Sequence, residues 1–449
     1  MKPPRGASSR LRRGEVLELV VEKPVYRGLG LARHEGQVVF VPRAVPGDRV
    51  RARVEEVGRG FVRARTEALL EAGAGRRESP CRYAARCGGC AYQAVDYPTQ
   101  LGLKRDVVLE ALQRGGVAWS SPVEVHGSPE VGWRTRAALH FAEDGELRLG
   151  IREEGSHVVV AVERCLQLPE RMTAAAEAIR RALLSEEGRR ARRNTGPLGD
   201  LVLAESIEGP GLVAALGAER AAGAAQALAP IAKSIPALTG FGVLTPHGGG
   251  TRYVHVDGDP HLEARVAGER LRWHVQSFFQ SNRFLVEPLV RHVLDLVPAS
   301  APVLDLYAGV GLFALPLARR GASVVAVEGS PSSAADARVN AERAGLAVRV
   351  VESDVRAALP QLTTQVGEAI VLDPPRAGAG PEVVEAVAAR GAATVVYVSC
   401  DPSTLARDVG HLQRRGYVVD ALSCWDLFPD TFHVETVVRL RRATPAVTV

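Results

Sequence analysis

The sequence predicts an α/β protein in which a doubly wound, mainly parallel sheet follows a small β-barrel and a mixed α+β region. From about residue 300, near-continuous apolar strands such as APVLDLYAG and TVVYVSC alternate with helices, which is typical of buried parallel strands. Residues 15–66 instead alternate apolar and polar positions between glycine and proline turns, which indicates a closed barrel. We therefore predict three domains, at residues 1–72, 73–275 and 276–449.

Composition limits the possible settings of this 449-residue chain. No window approaches the roughly 18 consecutive apolar residues of a membrane span, and the basic start lacks the apolar run of a signal peptide. We therefore expect a cytoplasmic monomer with no membrane partner. Residues 1–66 carry 15 Lys or Arg against 7 Asp or Glu. This excess favours a nucleic-acid partner, and the alternative is a solvated basic face.

The middle of the chain mixes strands and helices. TQLGLKRDVVLEALQRGG predicts a helix over 98–116 that ends at the glycine pair and could pack on the catalytic domain. PERMTAAAEAIRRALLSEE is also helical in pattern, and several strands follow to about residue 275.

Four of the six cysteines form a candidate metal site. CRYAARCGGC supplies Cys81, Cys87 and Cys90 with C-x5-C-x2-C spacing, and Cys165 follows much later. Four thiolates suit either a cubane iron–sulfur cluster or a tetrahedral zinc ion, and four unrelated core cysteines are the alternative. Since the spacing differs from the C-x3-C-x2-C of radical enzymes, we expect a closed, structural site. Cys424 lies in a strand that is not followed by a helix-start turn, and we expect its thiol to be buried and inert.

A nucleotide site is predicted at the carboxyl ends of the C-terminal strands. In DLYAGVG, Gly309 and Gly311 allow a tight turn and a close approach to a ligand. Glu328 ends the next strand, where a carboxylate can accept hydrogen bonds from ribose hydroxyls. The glycines alone do not separate a dinucleotide from S-adenosylmethionine. Asp373 follows another strand in LDPPRAG, and Asp-Pro-Pro beside a nucleotide pocket resembles methyltransferases that act on the exocyclic amine of adenine. Those enzymes usually carry an aromatic residue after the prolines, so Arg376 at that position argues against an exocyclic amine as the target.

Cys400 ends the strand VVYVSC and precedes a helix that begins near Pro402. A thiolate there would be stabilised by free N–H groups and the helix dipole, while an inert core cysteine is the alternative. FPDTFHVETVVRL places His433 and Glu435 at the entrance to the last strand. A thiolate and a carboxylate on one sheet edge indicate covalent catalysis with a separate base. A capping role for His433 and a salt bridge for Glu435 are the structural alternatives.

Together these residues closely resemble the RNA 5-methyluridine methyltransferase family, S-adenosylmethionine-dependent enzymes of 23S ribosomal RNA and tRNA. The resemblance covers nearly the whole chain. GLGLAR and VPRAVPGDRV look like a TRAM domain, an OB-like RNA-binding barrel, and the C-terminal region looks like a Rossmann-like class I methyltransferase domain. The four cysteines match the ligands of that family's [4Fe-4S] cluster, so the resemblance favours iron–sulfur over zinc.

The resemblance also assigns roles. It implies that Cys400 is the nucleophile that attacks carbon 6 of uracil and that Glu435 is the general base. In SFFQSN, Gln280 would contact the methyl donor or the target base. Further residues match the contacts to S-adenosylmethionine: Tyr307, Gly309, Gly311, Glu328 and Asp373. Two departures are Leu312, where the family often has a polar residue that contacts the cofactor, and Ser281 in place of a common valine.

Several functions compete with this prediction. The attached barrel favours 23S ribosomal RNA over tRNA as the substrate. A methyltransferase of exocyclic amines would have no use for the Cys400 thiolate. A non-enzymatic RNA-binding iron–sulfur protein is favoured only by Leu312, and a redox-active cluster enzyme would show activity that follows the state of the cluster.

Overall fold

The N-terminal segment closes into a β-barrel because its strands bury alternate side chains. The computed structural model describes residues 11–220, 223–248, 250–299 and 301–443. Along the first barrel strand exposed and buried side chains alternate, and the buried ones pack in a small apolar core inside the barrel. The barrel strands are β1 (Val16–Val25), β2 (Leu29–His34), β3 (Gln37–Pro42), β4 (Arg49–Val57) and β5 (Val62–Glu71). They are ordered β1-β2-β3-β5-β4, and β4 pairs back onto β1, which confirms the predicted barrel.

The middle of the chain is a mixed sheet covered by helices. Its sheet is ordered β13-β12-β11-β10-β7-β8-β9, and β14 and β15 form a separate hairpin. The helices are α1 (Tyr97–Arg114), α2 (Glu170–Leu184), α3 (Glu186–Thr195) and α4 (Ala224–Lys233). The strands are β6 (Glu124–His126), β7 (Arg136–Asp144), β8 (Glu146–Arg152), β9 (Val159–Ala161), β10 (Leu198–Glu205), β11 (Leu212–Ala218), β12 (Gly240–His247), β13 (Gly250–Gly258), β14 (His261–Val266) and β15 (Glu269–His274).

The C-terminal region is a doubly wound sheet with apolar cores on its two faces. Its order is β18-β17-β16-β19-β20-β22-β21-β6, and β22 is antiparallel to both of its neighbours. The strands are β16 (Val303–Leu306), β17 (Val324–Glu328), β18 (Val348–Glu352), β19 (Ala369–Leu372), β20 (Thr394–Ser399), β21 (Tyr417–Trp425) and β22 (Glu435–Arg442). The helices are α5 (Val286–Leu296), α6 (Ala314–Arg319), α7 (Pro331–Ala344), α8 (Val355–Ala358), α9 (Gly380–Arg390) and α10 (Pro402–Arg414).

Two elements of the middle region join the C-terminal sheet. Strand β6 pairs in parallel with β21, and helix α1 packs against α10 and β21. The predicted helix over 98–116 is therefore present with slightly different ends, and it lies on the C-terminal region. The domain boundaries at 72/73 and 275/276 stay a prediction. Among the helices of the described residues, none is long and apolar enough to cross a membrane.

Candidate active site

The parallel strands β17, β16, β19 and β20 end at one edge of the sheet, where most predicted site residues lie. Gly309 (φ +56°) and Gly311 (φ +92°) form the turn after β16. The Glu328 carboxylate accepts hydrogen bonds from the backbone N–H of Gly309 at 2.7 Å and of Ser330 at 2.6 Å. Glu328 therefore fixes the glycine turn and lies beside it, where a bound ribose would meet both.

A small cavity of about 250 Å³ adjoins this turn. Tyr307 lines it from a left-handed backbone conformation (φ +62°), and burial raises the pKa of its phenol to about 12. Asp354, which follows β18, also lines the cavity. The sequence prediction did not include Asp354, although a carboxylate two residues past the end of a parallel strand was the available signal. Leu312 is only 7% exposed and packs in the core, so it offers no polar contact.

Buried carboxylates cluster at the centre of the edge. Asp305 is fully buried, and burial together with the nearby Asp373 raises its pKa well above the usual range. Burial, with a smaller contribution from Glu328, raises the pKa of Asp373 to about 7, while the hydrogen bond from Gln280 opposes the shift. Gln280 is 3% exposed, and its Nε2 lies 3.5 Å from an Asp373 carboxylate oxygen. Sequence reasoning quoted Asp305 within the glycine motif but gave it no role; such a cluster favours a cationic ligand.

The register of two strands places Cys400 against Glu435. Ser399 at the end of β20 pairs with Thr436 in the antiparallel β22. Cys400 directly follows β20 and Glu435 begins β22, so both lie at this end of the strand pair. Their side chains are close, because Glu435 raises the pKa of the Cys400 thiol and Asp373 raises the pKa of both groups. The structure therefore brings a thiol and a carboxylate from distant parts of the chain to one point.

The protonation of this pair differs from the sequence-based expectation. Helix α10 does begin directly after Cys400, with Asp401 accepting hydrogen bonds from the N–H groups of Ser403 and Thr404. Yet burial, together with the negative charges of Glu435 and Asp373, raises the pKa of the Cys400 thiol to about 12. The position at the helix N-terminus therefore does not bring the pKa of this thiol below its usual range, because burial and neighbouring negative charge raise it.

Arg376 is a cation close enough to this centre to affect both groups. It lowers the pKa of Cys400 and of Glu435, although burial keeps both raised. Its Nη2 lies 3.3 Å from Nε2 of His433, and because a guanidinium only donates, His433 accepts. Burial, with help from Arg376, lowers the pKa of His433 to about 3. His433 is thus a neutral partner of Arg376 rather than a helix cap.

The four predicted metal-ligating cysteines lie near one another. Burial raises the pKa of Cys90, with smaller contributions from the thiols of Cys165 and Cys87. Burial also raises the pKa of Cys87, and Cys81 adds to this. Within the described ranges, no three His, Cys, Asp or Glu side chains surround a point that could hold a single metal ion.

The surroundings of the thiols suit an anionic group. The amide of Gln167 donates to Cys90 Sγ at 3.0 Å, and the backbone N–H of Gly89 to Cys87 Sγ at 3.5 Å. The Arg134 guanidinium faces Cys165 and Cys90, and burial lowers its pKa. Its Nε is buried without a hydrogen-bond partner in the part of the chain that is described. A negative cluster would compensate this buried cation.

The basic surface of the barrel is partly neutralised. Several of its arginines pair with carboxylates on neighbouring strands: Arg49 with Glu18 and Glu71, Arg53 with Glu67, and Arg65 with Glu55. The charge excess read from the sequence therefore overstates the number of free cations on these strands. The basic residues at positions 2, 5 and 10 lie outside the described residues.

Comparisons with known proteins identify the family of this chain. The family described as tRNA (Uracil-5-)-methyltransferase matches residues 261–443, and the TRAM domain matches residues 10–66. A 23S rRNA (uracil(1939)-C(5))-methyltransferase RlmD of Pseudomonas aeruginosa is 34% identical, with 94% of each chain covered. This chain belongs to the RNA (uracil-5-)-methyltransferase family. The methyltransferase is thus an enzyme that modifies carbon 5 of uracil in RNA, and the predicted family and enzyme class are confirmed.

Further relatives agree on the architecture. An uncharacterised RNA methyltransferase of Streptomyces avermitilis is 36% identical, with 96% of this chain and 99% of the relative covered. The crystal structure of Pyrococcus abyssi tRNA (uracil-54, C5)-methyltransferase with S-adenosyl-L-homocysteine superposes with a TM-score of 0.75 at 26% identity. That match covers 94% of this chain and 99% of the archaeal chain. The predicted fold class is confirmed over nearly the whole chain.

Proposed function

We propose that this methyltransferase forms 5-methyluridine in RNA through a covalent bond between Cys400 and the uracil ring, with S-adenosylmethionine as the methyl donor. The closeness of the Cys400 thiol to the Glu435 carboxylate, at the ends of two paired strands, is the observation that carries the proposal. The reaction needs a nucleophile and a base that reach neighbouring carbons of one ring, and these two side chains supply both groups.

The chemistry follows from the weak nucleophilicity of carbon 5. When the Cys400 thiolate adds to carbon 6, the ring becomes an enolate whose negative charge is shared with carbon 5. Carbon 5 then forms a bond to the methyl group as the bond between that methyl and the donor sulfur breaks, which leaves the demethylated donor as a neutral thioether. Carbon 5 still holds its proton at this stage. Glu435 removes that proton, the ring electrons return, and the bond between sulfur and carbon 6 breaks. Gln280 would donate a hydrogen bond to the ring oxygen as charge develops there.

The acidic edge supports a cationic methyl donor. S-adenosylmethionine, when bound, supplies a methyl group on a positively charged sulfur. Glu328 would bind the ribose, while Tyr307 and Asp354 would bind the adenine in the adjoining cavity. A positive charge beside Asp373 would lower the pKa of that carboxyl and of Glu435. Glu435 would then be ionised when its proton-accepting role begins, in contrast to its state in the ligand-free enzyme.

The four clustered thiols support a [4Fe-4S] cluster bound by Cys81, Cys87, Cys90 and Cys165. The mutual pKa influence of the thiols, the N–H···S contacts and the buried Arg134 fit its size and charge. The cluster would supply a cross-link between the loop 81–90 and the segment near residue 165. The closed set of four ligands favours this structural role over radical or redox chemistry.

Ribosomal RNA is the proposed substrate. The relative from Pseudomonas aeruginosa carries a 23S rRNA name, and the match to it spans the barrel as well as the catalytic region. The name of the Pyrococcus abyssi enzyme, at lower identity, makes tRNA the second candidate. The target base would leave its stack to reach the strand ends, with the barrel and the middle region holding the flanking RNA.

One set of variants tests the proposal. Cys400→Ala should lose methyl transfer to a 23S transcript while still binding S-adenosylmethionine in calorimetry. Cys424→Ala, which alters a fully buried thiol in β21, is the matched control and should retain activity. Glu435→Gln should accumulate a protein–RNA adduct on a denaturing gel, because the ring keeps its carbon 5 proton.

Retained turnover by Cys400→Ala would refute the nucleophile. An inactive Glu435→Gln that forms no adduct would refute the base. Labelled methyl transfer onto separate 23S and tRNA transcripts, followed by nuclease mapping, identifies the RNA, and label in tRNA alone would overturn the assignment to ribosomal RNA.

A further inference from the structure

A tyrosine of the N-terminal barrel reaches the segment that holds the catalytic thiol. Tyr26 lies in the turn between β1 and β2, and its hydroxyl donates a hydrogen bond to the backbone carbonyl of Cys400 at 3.2 Å. The two residues are 374 positions apart in the chain. A module that carries the charge pattern of an RNA-binding domain therefore also contacts the backbone of the proposed nucleophile.

The turn that carries Tyr26 fits closely against its neighbours. Arg27 and Gly28 both adopt left-handed backbone conformations, with φ of +73° and +70°. A Cβ added at Gly28 would lie 2.7 Å from the Cβ of Ala91 and 3.5 Å from that of Phe432. Since this leaves no room for a side chain, the backbone of the turn lies directly on its neighbours, and the direction of Tyr26 is fixed.

The same turn touches the loop that leads to the proposed base. The rings of Tyr26 and Phe432 pack edge to face, with centroids 5.7 Å apart and planes at 88°. Phe432 lies three residues before Glu435. Tyr26 thus contacts the segment of the nucleophile through its hydroxyl and the segment of the base through its ring.

The end of β1 is also held on the helices beneath it. The ammonium of Lys23 pairs with Glu110 of α1 at 2.7 Å. Pro24, Val25 and Tyr26 face α1 and the start of α10 across a cleft. Asp401 caps the first turn of α10. Burial and, to a smaller extent, the Asp401 carboxylate raise the pKa of the Tyr26 phenol, so it keeps its proton at neutral pH. A neutral phenol is the form that can donate to a carbonyl.

We propose that Tyr26 is a positioning residue for methyl transfer: its hydroxyl orients the Cys400 peptide so that the thiol meets carbon 6 of the uracil. The inference rests on the proposed role of Cys400. The barrel consequently sets the geometry of the chemical step in addition to contributing to RNA affinity. Because attack requires the reacting atoms to be held in line, a small displacement of the thiol lowers the rate of the step without weakening substrate binding.

Tyr26→Phe in the full-length enzyme is the test, since it deletes the hydroxyl and keeps the ring against Phe432. Loss of one hydrogen bond predicts a fall in kcat of about tenfold. The rate of adduct formation in single turnover should fall by the same factor. KM for RNA and the affinity for S-adenosylmethionine should stay within about twofold of the parent enzyme.

Tyr417→Phe is the matched control. The Tyr417 hydroxyl also donates to a backbone carbonyl, that of Ala392 at 3.0 Å, but it lies at the start of β21, far from the strand ends that form the site. This variant should show unchanged kcat and adduct rate. A purely structural effect of losing a buried tyrosine hydroxyl would appear equally in both variants and overturn the inference.

Two other results would also overturn it. One is a Tyr26→Phe enzyme with the parent's kcat and adduct rate. The other is a loss confined to KM for RNA, which would make Tyr26 an RNA contact. Failure of the underlying proposal is separate, because it would appear as turnover by Cys400→Ala or as the absence of an adduct in Glu435→Gln.

Discussion

A buried ion pair holds the loop that leads to Glu435, and replacing Lys104 by methionine tests its contribution. Lys104 on α1 is 1% exposed, and its Nζ donates to the carboxylate of Asp426 at 2.5 Å and to the carbonyl of Phe428 at 3.0 Å. Asp426 is fully buried and directly follows β21. Burial lowers the pKa of the Lys104 ammonium, and the Asp426 carboxylate counteracts that shift.

Methionine matches the length of the lysine stem, so the main change is the loss of a charge and its hydrogen bonds. The Asp426 carboxylate would lose its cationic partner and keep neutral donors, among them the backbone N–H of Phe428, at 3.1 Å from the same oxygen, and the Tyr97 phenol. Leaving one member of a buried pair uncompensated lowers the free energy of unfolding by about 3–5 kcal/mol. Adding Asp426→Asn should recover most of that loss, because the remaining buried group is then neutral.

Equilibrium unfolding in urea of the parent, the two single variants and the double variant measures the coupling. The single variants should each lose several kcal/mol, and the double variant should be more stable than either. A loss below about 1 kcal/mol for Lys104→Met, or a double variant no better than the singles, would refute the reasoning, since a surface-like ion pair contributes no more than that.

Two further outcomes follow from the site. Alkylation of Cys400 by iodoacetamide, without added S-adenosylmethionine or RNA, should accelerate about tenfold per pH unit between pH 7 and 9. A pKa near 12 lies above this range, so the thiolate fraction rises tenfold with each unit. The rate is taken as the difference between the parent and Cys400→Ser, and a plateau of that difference near pH 8 would contradict the raised pKa. Glu328→Gln should weaken S-adenosylmethionine binding about 10- to 100-fold in calorimetry, since hydrogen bonds to a charged group contribute about 1.5–3 kcal/mol, whereas Glu352→Gln, at the end of the neighbouring strand, should bind normally.

The C-terminal fold and the outline of the site were predictable because they depend on local patterns. Continuous apolar strands that end in Gly, Asp or Cys mark the ligand-binding edge of a parallel sheet, and this places Gly309, Asp373 and Cys400 together. Asp354 was missed because it follows a strand that is only partly buried and lacks a distinctive neighbour.

Long-range partners were not predictable from these patterns. Periodicity tells which face of an element is buried but not which distant residue it meets, so the contacts of Tyr26 with Cys400 and of Lys104 with Asp426 were invisible. The raised pKa of Cys400 was missed for the same reason. The helix N-terminus is a local feature, whereas the carboxylates that oppose it come from other strands.

Strand β6 has a consequence for the order in which the protein assembles during synthesis. Its partner β21 lies near the other end of the chain, so β6 leaves the ribosome on the order of tens of seconds before β21 at about 5–20 residues per second. Strand β6 can join the edge of the catalytic sheet only after β21 has been made. Helix α1 likewise gains the surface of α10 and β21 on which it packs only at that stage. The barrel can close early, but the pocket between Cys400 and Glu435 forms last, and a nascent chain cannot modify RNA before that point.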